Sequence, residues 1–86
     1  MTTSGVSEAL KKYVESTFLV DLGGAELSTS SNLFAAGVID SFGVVGIVTF
    51  LEAEFGVTFS DEELLSPDLA SVDGMARMVE AKRAPR

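Results

Sequence analysis

The stretch Leu33-Phe-Ala-Ala-Gly-Val-Ile-Asp-Ser-Phe-Gly-Val-Val-Gly-Ile-Val-Thr-Phe-Leu-Glu-Ala-Glu-Phe55 decides how the rest of the chain must fold. From Ser41 onward, Val44, Ile47, Val48, Leu51 and Phe55 recur at i, i+3, i+4, i+7 and i+11, which is one buried stripe of an α-helix. Gly37 and the pair Asp40-Ser41 precede the run, so the helix is predicted to begin at or beside Ser41, and Gly56 is placed to end it as a C-cap. A helix of this length is marginal in water on its own, so it must be the central member of a larger helical assembly. The expected fold is a compact all-α domain.

A second line on this helix, Phe42, Val45 and Thr49, is displaced from the core stripe, with Gly43 and Gly46 beside it. A helix that buries one face needs neither a bulky apolar residue next to Ser41 nor two helix-weakening glycines. Two readings are open. Either this side meets a partner, with Phe42 and Val45 as apolar contacts and the glycines leaving room for backbone approach, or it packs within the domain.

Outward from this stretch, Val6, Leu10, Tyr13, Val14 and Phe18 predict a first amphipathic helix over about residues 5–19. Gly23, Gly24 and the cluster Ser28-Thr29-Ser30-Ser31 then break periodicity, and Leu27, Leu33, Phe34, Val38 and Ile39 are expected to tack the resulting loop onto the core. Ser60 followed by Glu63 is a capping-box signature for a short helix, and Pro67 marks a further helical turn. Val72, Met75, Ala76 and Val79 predict a last helix that ends before Ala84-Pro85-Arg86. No internal repeat is read. Residues 1–86 are expected to form one domain, with flexible tails at 1–4 and 84–86.

The chain lacks cysteine and histidine. A disulfide framework, a thiolate metal site and the Ser-His-Asp and Cys-His nucleophile arrangements are therefore excluded, no catalytic residue is assigned, and Ser41, if chemically special, is an attachment point. Asp61-Glu62-Glu63 lacks the spacing of a calcium loop and reads as helix-start acids, so no metal ligand is assigned. The net charge of −7 is unevenly spread: no Lys or Arg lies between Tyr13 and Ala76, a span holding eleven of the thirteen acids. Nucleic acid is disfavoured as a partner, and the acidic middle either steers a basic protein surface or is a solvated face kept for solubility. No signal-like basic and apolar start or bilayer-length apolar run is present, so a monomeric cytoplasmic protein without membrane insertion is expected.

Leu33-Phe34-x-x-Gly37-x-x-Asp40-Ser41-Phe42, a helix ending Leu51-Glu52-x-Glu54-Phe55-Gly56, an acidic linker and the Ser71-Val72 helix start together resemble the acyl carrier protein family along nearly the whole chain. The resemblance implies that Ser41, with Asp40 beside it, bears 4′-phosphopantetheine derived from coenzyme A, whose thiol carries cargo as a thioester. It implies a small four-helix bundle with a long loop between helices 1 and 2 and a short third helix, and a carrier that is not itself an enzyme. Its partners would be a phosphopantetheinyl transferase, an acyl- or aminoacyl-loading ligase or acyltransferase, and a downstream transferase or synthase.

Asp40-Ser41-Phe42-Gly43-x-Val45 looks more like D-alanyl, aminoacyl and polyketide carriers than the Ala-Asp-Ser-Leu-Asp run common in fatty-acid carriers. Gly46 stands where many fatty-acid carriers have a docking glutamate. The resemblance therefore favours docking through Phe42, Val45 and Thr49, with Glu52, Asp61 and Glu62 as acidic contacts, and a role in polyketide or other secondary-metabolite assembly. A fatty-acid-synthesis carrier and an acidic helical adaptor are the alternatives, and a small hydrolase using Ser41 is the enzyme-class rival.

Overall fold

Helical periodicity becomes helix at each place it occurs in the computed structural model, which describes residues 4–24 and 26–83. These residues are all-helical: α1 Ser4–Phe18, α2 Ser41–Phe55, α3 Asp61–Leu64 and α4 Val72–Arg83, with a 3₁₀ turn at Pro67–Ala70 before α4. Of the tails expected at 1–4 and 84–86, all but Ser4 lie outside the described residues, and Ser4 opens α1.

Val6, Leu10 and Val14 of α1, Ile47, Val48 and Leu51 of α2, and Val72, Met75 and Val79 of α4 are buried together in one core. Val44 and Phe55, the ends of the α2 stripe, are only partly buried against it. Among the loop residues, Leu33 and Ile39 are buried and Leu27 and Val38 half-buried, but Phe34 is 42% exposed, contrary to expectation. It sits in a turn closed locally by Asn32, which accepts the Ala35 and Ala36 N–H groups on its side-chain and backbone oxygens, so nothing folds Phe34 inward. Leu22, which periodicity did not single out, is buried in its place.

α1 and α2 run antiparallel. Tyr13 stacks on Phe50 with ring centroids 4.2 Å apart and donates to the Gly46 carbonyl at 3.4 Å, while Phe18 lies against Gly43 nearer the start of α2. This contact decides what the α2 glycines do. A Cβ on Gly43 would come within 3.1 Å of the Phe18 ring, and one on Gly46 within 3.7 Å of the Tyr13 hydroxyl. Gly43 thus makes room for the Phe18 ring of α1, whereas a side chain at exposed Gly46 would meet the Tyr13 hydroxyl only at ordinary contact distance.

The sequence shows no repeat, yet the chain leaves α1 and α2 by the same device. Glu15 and Glu52 each accept, seven residues downstream, the N–H of a buried apolar residue: Leu22 at 2.8 Å and Phe59 at 2.9 Å. Between them each exit passes through Phe, one left-handed residue and Val. At the second exit that residue is Gly56, φ 68°; at the first it is Leu19, φ 58°. A left-handed leucine costs roughly 1–2 kcal/mol that a glycine avoids.

Gly74 explains how α4 meets the 3₁₀ turn. A Cβ there would lie 2.1 Å from the Asp68 carbonyl oxygen, so only glycine permits this approach.

α3 is one turn long and depends on its ends. Ser60 and Glu63 form both halves of the capping box, at 3.2 Å and 2.8 Å. The Glu63 carboxylate also accepts from the Lys82 ammonium of α4, which sits 5.2 Å from the Phe59 ring centroid. The Lys82 hydrogen bond first, then the Ser60 N–H, hold the Glu63 carboxyl below its usual value of 4.5. A depressed carboxyl contributes stability above its unfolded pKa, and this is lost as pH falls through the folded value. Glu63→Gln is therefore expected to melt lower than the parent at pH 7, with the gap narrowing as acid protonates the Glu63 carboxyl. Paired thermal melts at pH 7 and through the acid range measure it; a constant gap would remove Glu63 ionisation from the account.

Candidate functional site

The start of α2 is held in place from three sides. Leu33 donates to the Ala70 carbonyl at 2.7 Å and accepts from Val38 and Ile39, so the residues leading into Asp40 hang from the 3₁₀ turn. Ile39 is buried beneath the helix start, and Phe18 packs on Gly43 from the α1 side.

Asp40 is the N-cap. Its backbone is extended, φ −132° and ψ −169°, and its Oδ1 accepts from Gly43 N–H at 2.8 Å while its carbonyl accepts from Val44 at 2.9 Å. Ser41 is thus the first helical residue rather than the cap, and its exposed hydroxyl is not spent on capping. Of the first-turn donors, the N–H groups of Ser41 and Phe42 precede any intrahelical acceptor, so they add to the positive end of the helix dipole beside that hydroxyl.

A phosphate ester fits these residues. The hydroxyl is accessible, the donors next to it favour an anion, and the neighbouring Phe42 side chain is 88% exposed and points away from the core. When bound there, phosphopantetheine supplies a thiol, a group this cysteine-free chain lacks. Asp40 contributes the helix start that positions Ser41.

The residues expected to dock partners separate into two groups. Phe42 and Val45 are exposed, at 88% and 62%, and Thr49 is exposed with its hydroxyl donating back to the Val45 carbonyl at 2.9 Å. Val45, Thr49 and Glu52 line one side of a shallow groove of about 270 Å³, and Leu64 and Leu69 line the other. Glu52 is half-buried with one oxygen committed to Phe59 N–H, so it is first of all part of the α2 exit. Asp61 and Glu62 are exposed on the first turn of α3, outside that groove lining.

Leu64 and Leu65, at 43% and 84% exposure, extend the apolar surface onto α3, and sequence reasoning missed them. The available signal was their adjacency: a helix of four residues cannot turn two successive leucines inward. Leu19, 87% exposed at the end of α1, was missed as well. Among the described residues no group of acids is arranged to hold a metal ion, and no helix is long and apolar enough to cross a membrane.

The family model described as the phosphopantetheine attachment site matches residues 8–79, spanning α1 to most of α4. The chain belongs to this family, that of the acyl carrier proteins. No curated protein and no solved structure matches it. Domains of the family hold 4′-phosphopantetheine covalently, act as carriers rather than catalysts, and work with a phosphopantetheinyl transferase and further partner enzymes.

Capping by Asp40 is separable from its charge. Asp40→Ala is expected to cost about 1 kcal/mol of unfolding free energy and Asp40→Asn a few tenths at most, because asparagine caps nearly as well. Urea denaturation of the two variants checks this, and equal losses would show that the carboxylate matters for something other than the cap.

Proposed function

We propose that Ser41 is the residue that bears phosphopantetheine, and that the chain carries an acyl or aminoacyl thioester on that arm to the enzymes of polyketide or other secondary-metabolite assembly. The observation that supports this best is the division of labour at the start of α2: Asp40 caps, and Ser41 is left exposed in the first turn of a buttressed helix. The scaffold in this reading is a four-helix bundle in which α3, though a single turn, counts as the third helix. Its working compartment is the cytoplasm.

Partner enzymes dock on the outward side of α2 and on α3. Phe42, Val45 and Thr49 supply the largely apolar contact, and Asp61, Glu62 and the unspent oxygen of Glu52 supply negative charge. The distribution of basic residues supports the polarity of this face. Lys82 and Arg83 sit over the rings of Phe59 and Phe55, at the exit of α2 and away from Ser41. A basic enzyme surface is drawn towards the acids of this face, Asp40, Glu52, Asp61 and Glu62, an attraction that weakens as salt rises. The apolar weighting of the contact, with Gly46 in place of a carboxylate, favours the polyketide or aminoacyl setting over fatty-acid synthesis.

Incubation with coenzyme A and a broad-specificity phosphopantetheinyl transferase is expected to add one phosphopantetheine mass to the parent and none to Ser41→Ala, read by intact-mass spectrometry. No gain, or an equal gain in the variant, sinks the assignment. Phe42→Ala is expected to raise the KM of an enzyme that charges the arm by about tenfold, the loss of one well-packed interface anchor. Its melting temperature should stay within about 2 °C of the parent, since the ring is exposed. A large drop in melting temperature with unchanged kinetics would make Phe42 a folding residue instead.

A further inference from the structure

The antiparallel register of α1 and α2 fixes where Leu19 lies. Tyr13 is level with Gly46 and Phe50, and Phe18 with Gly43, so each step along α1 moves back along α2 towards Ser41. One residue beyond Phe18, Leu19 stands at the Ser41 end of the molecule, on the α1 side.

Two observations make this leucine anomalous. Its backbone is left-handed, φ 58°, a conformation unfavourable for a branched side chain, and the matching position of the second exit holds Gly56 at φ 68°. Its side chain is 87% exposed, so the strain is not offset by burial in the core. The exit itself does not require it: Glu15, Phe18, Val20 and Leu22 provide the hydrogen bonds and packing, just as Glu52, Phe55, Val57 and Phe59 do at the second exit. A strained residue that gives the fold no contact points to a use outside the fold.

We propose that Leu19 is a contact residue for the phosphopantetheinyl transferase, covering the α1 side of Ser41 as Phe42 covers the α2 side. The proposal rests on the assignment of Ser41 above. Loading forms a bond between Ser41 Oγ and phosphorus and breaks a pyrophosphate P–O bond of coenzyme A. The hydroxyl proton passes to a base of the enzyme, and adenosine 3′,5′-bisphosphate leaves. Because the reacting oxygen lies at the protein surface, the enzyme must close directly on the skin around the first turn of α2. Enzymes that act on the thiol dock on the outward side of α2 and need not reach the α1 side of that skin. The surroundings of Leu19 suit a protein partner with an apolar pocket in a basic rim: Asp21 is exposed two residues on, although Lys11 lies near it, Asp40 caps the adjacent helix, and Glu15 is engaged by the Leu22 N–H.

Two variants separate contact from strain. Leu19→Gly removes both and is expected to raise the melting temperature by about 2–5 °C while lowering kcat/KM for loading about five- to tenfold, mostly through KM. Leu19→Ala keeps the strain and should lower kcat/KM similarly with the melting temperature within about 2 °C of the parent. Loading is followed as mass gain with coenzyme A and a broad-specificity transferase. If the parent loads at Ser41 and both variants load within twofold of it, the proposal is overturned and the Ser41 assignment stands. A parent that gains no mass overturns both.

Discussion

The seating of α1 against the first turns of α2 is the constraint on which the presentation of Ser41 depends. Phe18 of α1 needs close access to the α2 backbone, and Gly43 gives it at the cost of intrinsic helix propensity. The Tyr13–Phe50 stack, farther along α2, adds an aromatic contact to the same seam. With α1 on one side and Leu33 and Ile39 beneath, the first turn of α2 has little freedom, and its outward side is left to solvent. That combination, a stiff base under an exposed serine, is what the proposed attachment of an arm at Ser41 requires.

The far end of α2 is organised by different forces. Lys82 is shared between the Glu63 carboxylate and the Phe59 ring, and Arg83 lies over Phe55. Both cations are thus engaged at the exit of α2, where the sequence shows only that bases cluster near the chain ends.

Local patterns were legible in the sequence wherever one element decides the outcome. The stripe from Val44 to Phe55, the Gly56 stop and the Ser60–Glu63 box all depend on residues within a turn or two of each other, and each appears in the structure. The position of Ser41 at a helix start was legible too, but not that Asp40 would take the capping role and release it. What stayed hidden depends on pairing across distance. The partners of Gly43 and Gly46 are some 25 to 33 residues away in α1. The second use of Glu52 lies beyond its own helix, and the conformation of Leu19 contradicts its residue type. The exposure of Phe34 belongs to the same class, since it follows from a turn that only the Asn32 hydrogen bonds define.

The segment between α1 and α2 is stitched to parts of the chain made much later. Leu33 donates to Ala70 and Asp73 donates to Thr29, so both clasps join the segment to residues around the start of α4. The segment that leads into Ser41 is therefore fastened only where Ala70 and Asp73 are in place, and a truncated chain lacking those residues would present its serine on an unfastened turn.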